Sequence, residues 1–275
     1  MRILRRFAPV IAVALVLIPS GALLAHDMFW RLTSYFVASA TALRLPVLNG
    51  TFSKSENSIT WARVADLTVV APTGRITMDS AHWETKSDTS VLAYTTGASG
   101  TYVVGLATKK KDFDLKAAAF NQYLADDGIP DILALRKRNS SAKKDARERY
   151  SKYVKAIFQV GDARTDSWAT PLGYAAELMP LANPYALKAG AILDFKCLVD
   201  GVPVAHQLVM VGGRAGTTGD ARLPLKALRT DTNGLVHVSL DKPGRWYVKF
   251  IRMVPLTNDT VDYESKWATI TFEVR

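Results

Sequence analysis

Leu193-Asp194-Phe195-Lys196-Cys197-Leu198-Val199, closed by Asp200-Gly201, sets Leu193, Phe195, Cys197 and Val199 against the intervening Asp194, Lys196 and Leu198. A period of two puts the first set on one face of an extended chain, so the stretch reads as a half-buried β-strand ending in a turn. Cys197 falls on the inner face, where a lone thiol behaves as a small hydrophobe rather than a nucleophile. The pattern repeats downstream. Val236, Val238 and Leu240 alternate with His237 and Ser239; Trp246, Val248 and Phe250 follow Pro243-Gly244; Ala268, Ile270, Phe272 and Val274 close the chain. Turn signals at this spacing indicate an antiparallel β-sandwich over 159–275. The glycine-rich stretch Gly212 to Gly219 does not lie between a strand and a helix, so it reads as a hairpin loop and not a phosphate cradle.

Upstream, residues 26–108 carry the same signature, with Leu43 to Leu48, Asp66 to Val70 and Thr101 to Leu106 separated by Asn49-Gly50, Pro72-Thr73-Gly74 and Gly97 to Gly100. They form a first β-sandwich. Between the two, residues 109–158 read as a helical insert. One helix carries Leu115, Phe120, Tyr123 and Leu124 and stops at Gly128; a second starts at Pro130. A third, after Ser140-Ser141, places Ala146, Tyr150, Tyr153, Val154 and Ile157 at helical spacing.

The chain has 275 residues with a formal net charge of +10. That total invites a nucleic-acid reading, but Arg2, Arg5 and Arg6 supply +3 of it and residues 109–155 supply +6. The β-regions are nearly neutral, which removes the case for nucleic acid. The insert keeps Lys109-Lys110-Lys111, Arg136-Lys137-Arg138 and Lys143-Lys144, a basic waist that allows at most peripheral membrane contact or an acidic partner. One cysteine excludes a disulfide framework and multi-cysteine metal sites.

The first 25 residues follow the secretory plan of a basic start, an apolar run from Phe7 to Ile18, and a break at Pro19-Ser20-Gly21. Leu23-Leu24-Ala25 offers a cleavage site, with Ser20-Gly21-Ala22 as its competitor, so the mature protein is expected to be periplasmic or secreted. Cleavage after Ala25 makes His26 the new N-terminus. Its α-amine and imidazole then form a chelate suited to nickel, copper or zinc.

Two resemblances follow from particular residues. Val199-Asp200-Gly201-Val202-Pro203, Thr230-Asp231-Thr232-Asn233-Gly234 and Asp241-Lys242-Pro243-Gly244-Arg245-Trp246 are similar to transthyretin-like or carboxypeptidase-regulatory-like sandwiches. Ala25-His26-Asp27-Met28-Phe29, Leu48 to Asn57, Gly100 to Gly105, Glu148 to Lys152, Val160-Gly161-Asp162, Pro180 to Tyr185 and Asp262 to Ala268 together resemble a bacterial exported family of unknown function labelled nickel-uptake or nickel-transport-like. This second resemblance implies an Ala-His-Asp start after the signal peptide and a divalent cargo. It also implies a histidine where this chain has Arg252.

The expected fold is mainly β: two Ig-like or transthyretin-like antiparallel β-sandwiches joined by a helical insert. Candidate metal ligands are His26, Asp27 and Glu264, with Asp262 two residues before the last. His82 and His237 read as surface residues, and His206 as partly buried. No nucleophile elbow, phosphate loop or metalloprotease helix occurs. Hence a non-catalytic role is expected, capturing nickel, copper or cobalt, with a copper oxygenase as the minor enzymatic alternative. An envelope protein or transporter component is the expected partner. The alternative is an adaptor or carbohydrate- or protein-binding module.

Overall fold

The structure, a computed structural model, describes residues 26–216, 221–257 and 259–275. The signal-peptide reading, and residues 217–220 of the glycine-rich loop, lie outside the described residues.

The chain is mainly β. A 4-stranded sheet takes the order β1-β3-β7-β6, comprising β1 (Asp27–Trp30), β3 (Ala42–Gly50), β6 (Trp83–Lys86) and β7 (Thr89–Thr95). A second 4-stranded sheet holds β11 (Ala176–Pro180), β12 (Ile192–Val199), β13 (Val202–Pro203) and β17 (Leu235–Ser239). Between them runs an 11-stranded sheet. Its spine is β14 (Leu208–Ala215), β18 (Gly244–Pro255), β19 (Tyr263–Val274), β10 (Ala146–Val160), β8 (Gly100–Thr108) and β4 (Val64–Ala71). Shorter strands complete it: β2 (Phe36–Val37), β5 (Gly74–Thr77), β9 (Lys111–Leu115), β15 (Ala221–Arg222) and β16 (Lys226–Arg229).

The strand read first from the sequence is where alternation put it. Phe195 and Cys197 of β12 are fully buried, and burial pushes the Cys197 thiol up to about 12. The insert differs from its expectation in one element. Two helices form, α1 (Ala117–Asp126) and α2 (Pro130–Arg138), but 146–160 is a strand of 15 residues. It pairs parallel with β19 and antiparallel with β8, and so welds the two halves into one sheet. The physical reason is its composition. Tyr150, Tyr153, Val154, Ile157, Phe158 and Val160 favour a pleated surface, and a strand buried on both faces gives no clean period of two.

Register fixes the faces. Along β18 and β19, Val248, Phe250, Ile270 and Phe272 point toward the sheet containing β12, while Tyr247, Lys249, Ile251, Trp267 and Thr271 point the other way. On that second face the sheet containing β1 and the α1–α2 hairpin lie side by side. The hairpin has its own core of Phe120, Tyr123, Leu124, Ile129 and Ile132 against Ile251, Met253, Tyr263 and Trp267. Arg136, one of the expected surface cations, is 1% exposed. It donates to Asn121, Tyr263 and the Lys144 carbonyl, and stacks over Phe120 at 4.8 Å. No helix among the described residues is long and apolar enough to cross a membrane.

Candidate functional site

Strand β1 begins one residue after His26 and pairs with the end of β3, Asp27 opposite Gly50 and Met28 opposite Asn49. Asp27 and Phe29 therefore face the large sheet, where Lys249 ion-pairs with Asp27 and the Tyr247 ring lies 5.1 Å from Phe29. The chain turns back sharply after Gly50. A Cβ there would stand 2.5 Å from the Lys54 carbonyl oxygen, so only glycine permits this close approach. The turn carries Phe52, Ser53 and Glu56 to the edge of a cleft of about 400 Å³ that also exposes His26, Asp127, Arg214 and Tyr247. The His26 imidazole Nδ1 lies 3.3 Å from Glu56 Oε2.

Below His26 lies a buried polar network. Lys152 Nζ donates to the His26 carbonyl oxygen and, at 3.3 Å, to Asn49 Oδ1. Its ammonium stands 5.0 Å from the Trp267 ring centroid and 5.6 Å from Tyr150, the geometry of a cation–π contact. Burial pulls Lys152 down to about 8, against the pull of Asp27 and Asp127. Burial also opposes the charge on Lys249, but the Asp27 and Asp127 carboxylates outweigh it and raise that lysine. Asp127, just past the end of α1, is pushed up to about 7 by burial, with Asp27 adding to the shift and the two lysines opposing it.

Glu148 is fully buried and pushed up to about 7 by the same cause. Tyr123 donates to it at 3.1 Å, and so does Ser265. Oδ1 of Asp27 and Oε2 of Glu148 are buried without a hydrogen-bond partner among the described residues. Unsatisfied buried oxygens are uncommon in packed interiors. Two in one network set it apart from ordinary core.

Of the expected ligands, His26 and Asp27 come together at the cleft, while Glu264 does not join them. It projects from the other face of β19 and ion-pairs with Lys110 at 2.6 Å. Asp262 accepts from the Arg147 backbone N–H at 2.8 Å, a bond that ties the residue before β19 to the start of β10. Arg252 is exposed and on the Glu264 side of β18, so its charge does not face His26. His82 and His237 are exposed beside Asp79 and Asp194. His206 is exposed rather than partly buried, at a turn with φ of 57°. Sequence reasoning missed Glu56, Asp127, Lys152 and Lys249. The available signal was a lysine inside the apolar run Val248-Lys249-Phe250-Ile251, since an unpaired lysine is almost never buried there.

No group of three His, Cys, Asp or Glu side chains among the described residues is arranged to cage a metal. The family described as Domain of unknown function (DUF4198) matches residues 23–253. No curated protein matches the chain. Trypsin-activated alpha-2-macroglobulin from Escherichia coli aligns over 90% of this chain at 10% identity, with a TM-score of 0.22. A mutant Salmonella alpha-2-macroglobulin aligns over 90% at 11% identity, with a TM-score of 0.23. The chain spans only 16% and 15% of the lengths of those two proteins.

Proposed function

The chain belongs to the Domain of unknown function (DUF4198) family, and within it we propose that this protein is an exported, non-catalytic accessory protein that captures a divalent transition metal at His26. Cleavage after Ala25 is part of the proposal, because it frees the His26 α-amine. A side-chain cage is not required, because the amine and Nδ1 of one residue close a six-membered chelate ring on a metal. Nitrogen donors of this kind suit copper(II) and nickel(II). Glu56, 3.3 Å from that Nδ1, is the carboxylate best placed to join them.

The observation that carries the reading is the anchoring of the residue after the cleavage point. Chain termini ordinarily fray. Here the His26 carbonyl is held by Lys152, Asp27 is held by Lys249, and Asp27 already pairs with Gly50 in the sheet. Such a terminus is pre-organised, which lowers the ordering cost of binding. Asp27, neutralised by Lys249, supports the strand and is not assigned as a ligand. The donor set fits a nitrogen-preferring ion and suits calcium or magnesium poorly.

Calorimetric titration of the mature protein with copper(II) and nickel(II), beside His26→Ala and Glu56→Gln, tests the reading. His26→Ala loses binding about 100-fold or more and Glu56→Gln about tenfold, in line with losses seen at supporting metal-site groups. Equal, weak binding by all three proteins sinks it.

A further inference from the structure

The α1–α2 hairpin ends in a cluster of cations that the metal reading does not use. Lys137 and Arg138 close α2, and Lys143 and Lys144 lie in the short connection to β10. All four are exposed. None of their side chains is in an ion pair among the described residues, and Arg138 feels Asp131 only beyond ion-pair distance. The acids nearby are already engaged. Asp145 pairs with Lys116 at 2.7 Å and accepts from the Ala117 backbone N–H at 3.0 Å. Asp131 is held by Arg229 at 2.8 Å, and Asp114 stands 3.6 Å from Arg147.

The cluster is built into the fold. Ser141 and Ala142 donate their backbone N–H groups to the Arg136 carbonyl at 2.9 and 3.1 Å, which folds the connection back over the end of α2. The Arg136 guanidinium, inside the hairpin core, then donates to the Lys144 carbonyl at 2.6 Å. An arginine is rarely buried so completely. This one fixes the Lys143-Lys144 backbone beside the last turn of the helix, where Lys137 and Arg138 stand.

The chemistry of this end selects its partner. The exposed large apolar side chains among the described residues are Trp61, Ile76, Leu181, Ile192, Val202 and Leu225, and none belongs to the hairpin or its connection. Protein interfaces centre on aromatic or aliphatic anchors and are depleted in lysine. A lysine-rich end without an anchor instead suits a diffuse anionic surface, where each cation raises partitioning about fivefold. Direction follows from the helices. Helix α1 runs toward the cleft, which its capping residue Asp127 lines, and α2 runs back for nine residues, about 13 Å. The cations therefore sit at the end of the hairpin remote from the cleft.

We propose that this end docks the protein on an anionic phospholipid surface through Lys137, Arg138, Lys143 and Lys144, leaving the cleft turned away from the lipid. The proposal stands apart from the metal reading of His26. Sedimentation of the mature protein with vesicles of phosphatidylglycerol and phosphatidylcholine, beside vesicles of phosphatidylcholine alone, tests it. The protein binds the anionic vesicles at low salt, stays off the neutral ones, and is released at ~1 M salt, where screening shortens to about 3 Å. Lys143→Gln with Lys144→Gln lowers partitioning about 25-fold, two cations at about fivefold each. That pair keeps the Lys144 carbonyl, so Arg136 retains its bond and the unfolding midpoint holds. Lys54→Gln with Lys188→Gln removes two exposed lysines outside the hairpin, one of them in the turn beside the cleft, and leaves binding unchanged. Equal losses in the two double variants overturn the assignment, because total charge would then carry the binding. No preference for anionic over neutral vesicles overturns it outright. Binding to polyglutamate without binding to anionic vesicles overturns the lipid in favour of an acidic polypeptide.

Discussion

Strand β10 buries one lysine on each face of the large sheet, and their surroundings differ. Lys155, facing β11, meets Glu177 at 2.8 Å, both side chains being almost fully buried. Glu177 also accepts from the backbone N–H of Leu172 at 2.8 Å and of Gly173 at 3.1 Å. Every strong acceptor there is used. Lys152, three residues earlier, has a backbone carbonyl, an amide oxygen and two aromatic rings, and shares its neighbourhood with a second lysine. Two carboxyl oxygens nearby have no partner among the described residues. A closed ion pair holds a fold together, whereas an incompletely satisfied cluster beside a cleft can still respond to an arriving charge.

The largest effect expected from breaking this contrast is on the closed side. Glu177→Ala strands the Lys155 ammonium in the interior and costs about 3–5 kcal/mol of stability, read by denaturant unfolding. Copper binding at His26 is unchanged, because the substitution lies across the sheet.

Next in size is the pH response of the open side. Glu148 rises from 4.5 to about 7 and Asp127 from 3.8 to about 7. A carboxyl raised on folding stabilises the fold fully below its unfolded value and loses that contribution as pH climbs through the folded value. Stability should therefore fall between about pH 4.5 and 7. Glu148 alone accounts for roughly 3 kcal/mol of that fall, since each tenfold change in proton affinity is worth about 1.4 kcal/mol. Glu148→Gln flattens the slope in unfolding curves collected across this range; an unchanged slope would refute the assignment.

Lys152→Met separates anchoring from stability. Replacing a poorly paired buried charge with an apolar side chain changes stability by no more than about 1–2 kcal/mol, in either direction. Releasing the His26 carbonyl lowers copper affinity by about tenfold, the lower end for supporting groups. The smallest effect belongs to the surface. Asp194→Ala removes the carboxylate that holds exposed His237 above its ordinary value, and it leaves the melting temperature unmoved, as exposed pairs generally do.

Legibility in the sequence tracked locality. Strands β12 and β17 bury one face more than the other, and alternation revealed them. Strand β19 is buried on both faces over 267–274, but Thr269, Thr271 and Glu273 alternate with its apolar residues and keep the period visible. Helices α1 and α2 were announced by apolar spacing, Gly128 and Pro130. Strand β10 was misread because Tyr150, Tyr153, Val154 and Ile157 satisfy a helical period while the strand is buried on both sides. His26 and Asp27 were singled out by the expected cleavage after Ala25. Their anchors were not, since Lys152 lies 126 residues from His26 and Lys249 lies 222 residues from Asp27. Only the register of β10, β18 and β19 brings those lysines beneath the same strand. The basic waist was overstated for the same reason: Arg136, Lys152 and Lys155 count as charges in the sequence but lie inside the fold.

Capture of the metal by the anchored amine of His26, and not by the imidazole alone, has a direct test. Copper(II) affinity is compared between protein beginning at His26 with a free α-amine and the same protein acetylated at that amine. Acetylation keeps every side chain and converts the amine into an amide without supplying a new amine. The expected loss is at least about tenfold, equivalent to about 1.4 kcal/mol. Equal affinities for the two forms would contradict a role for the amine.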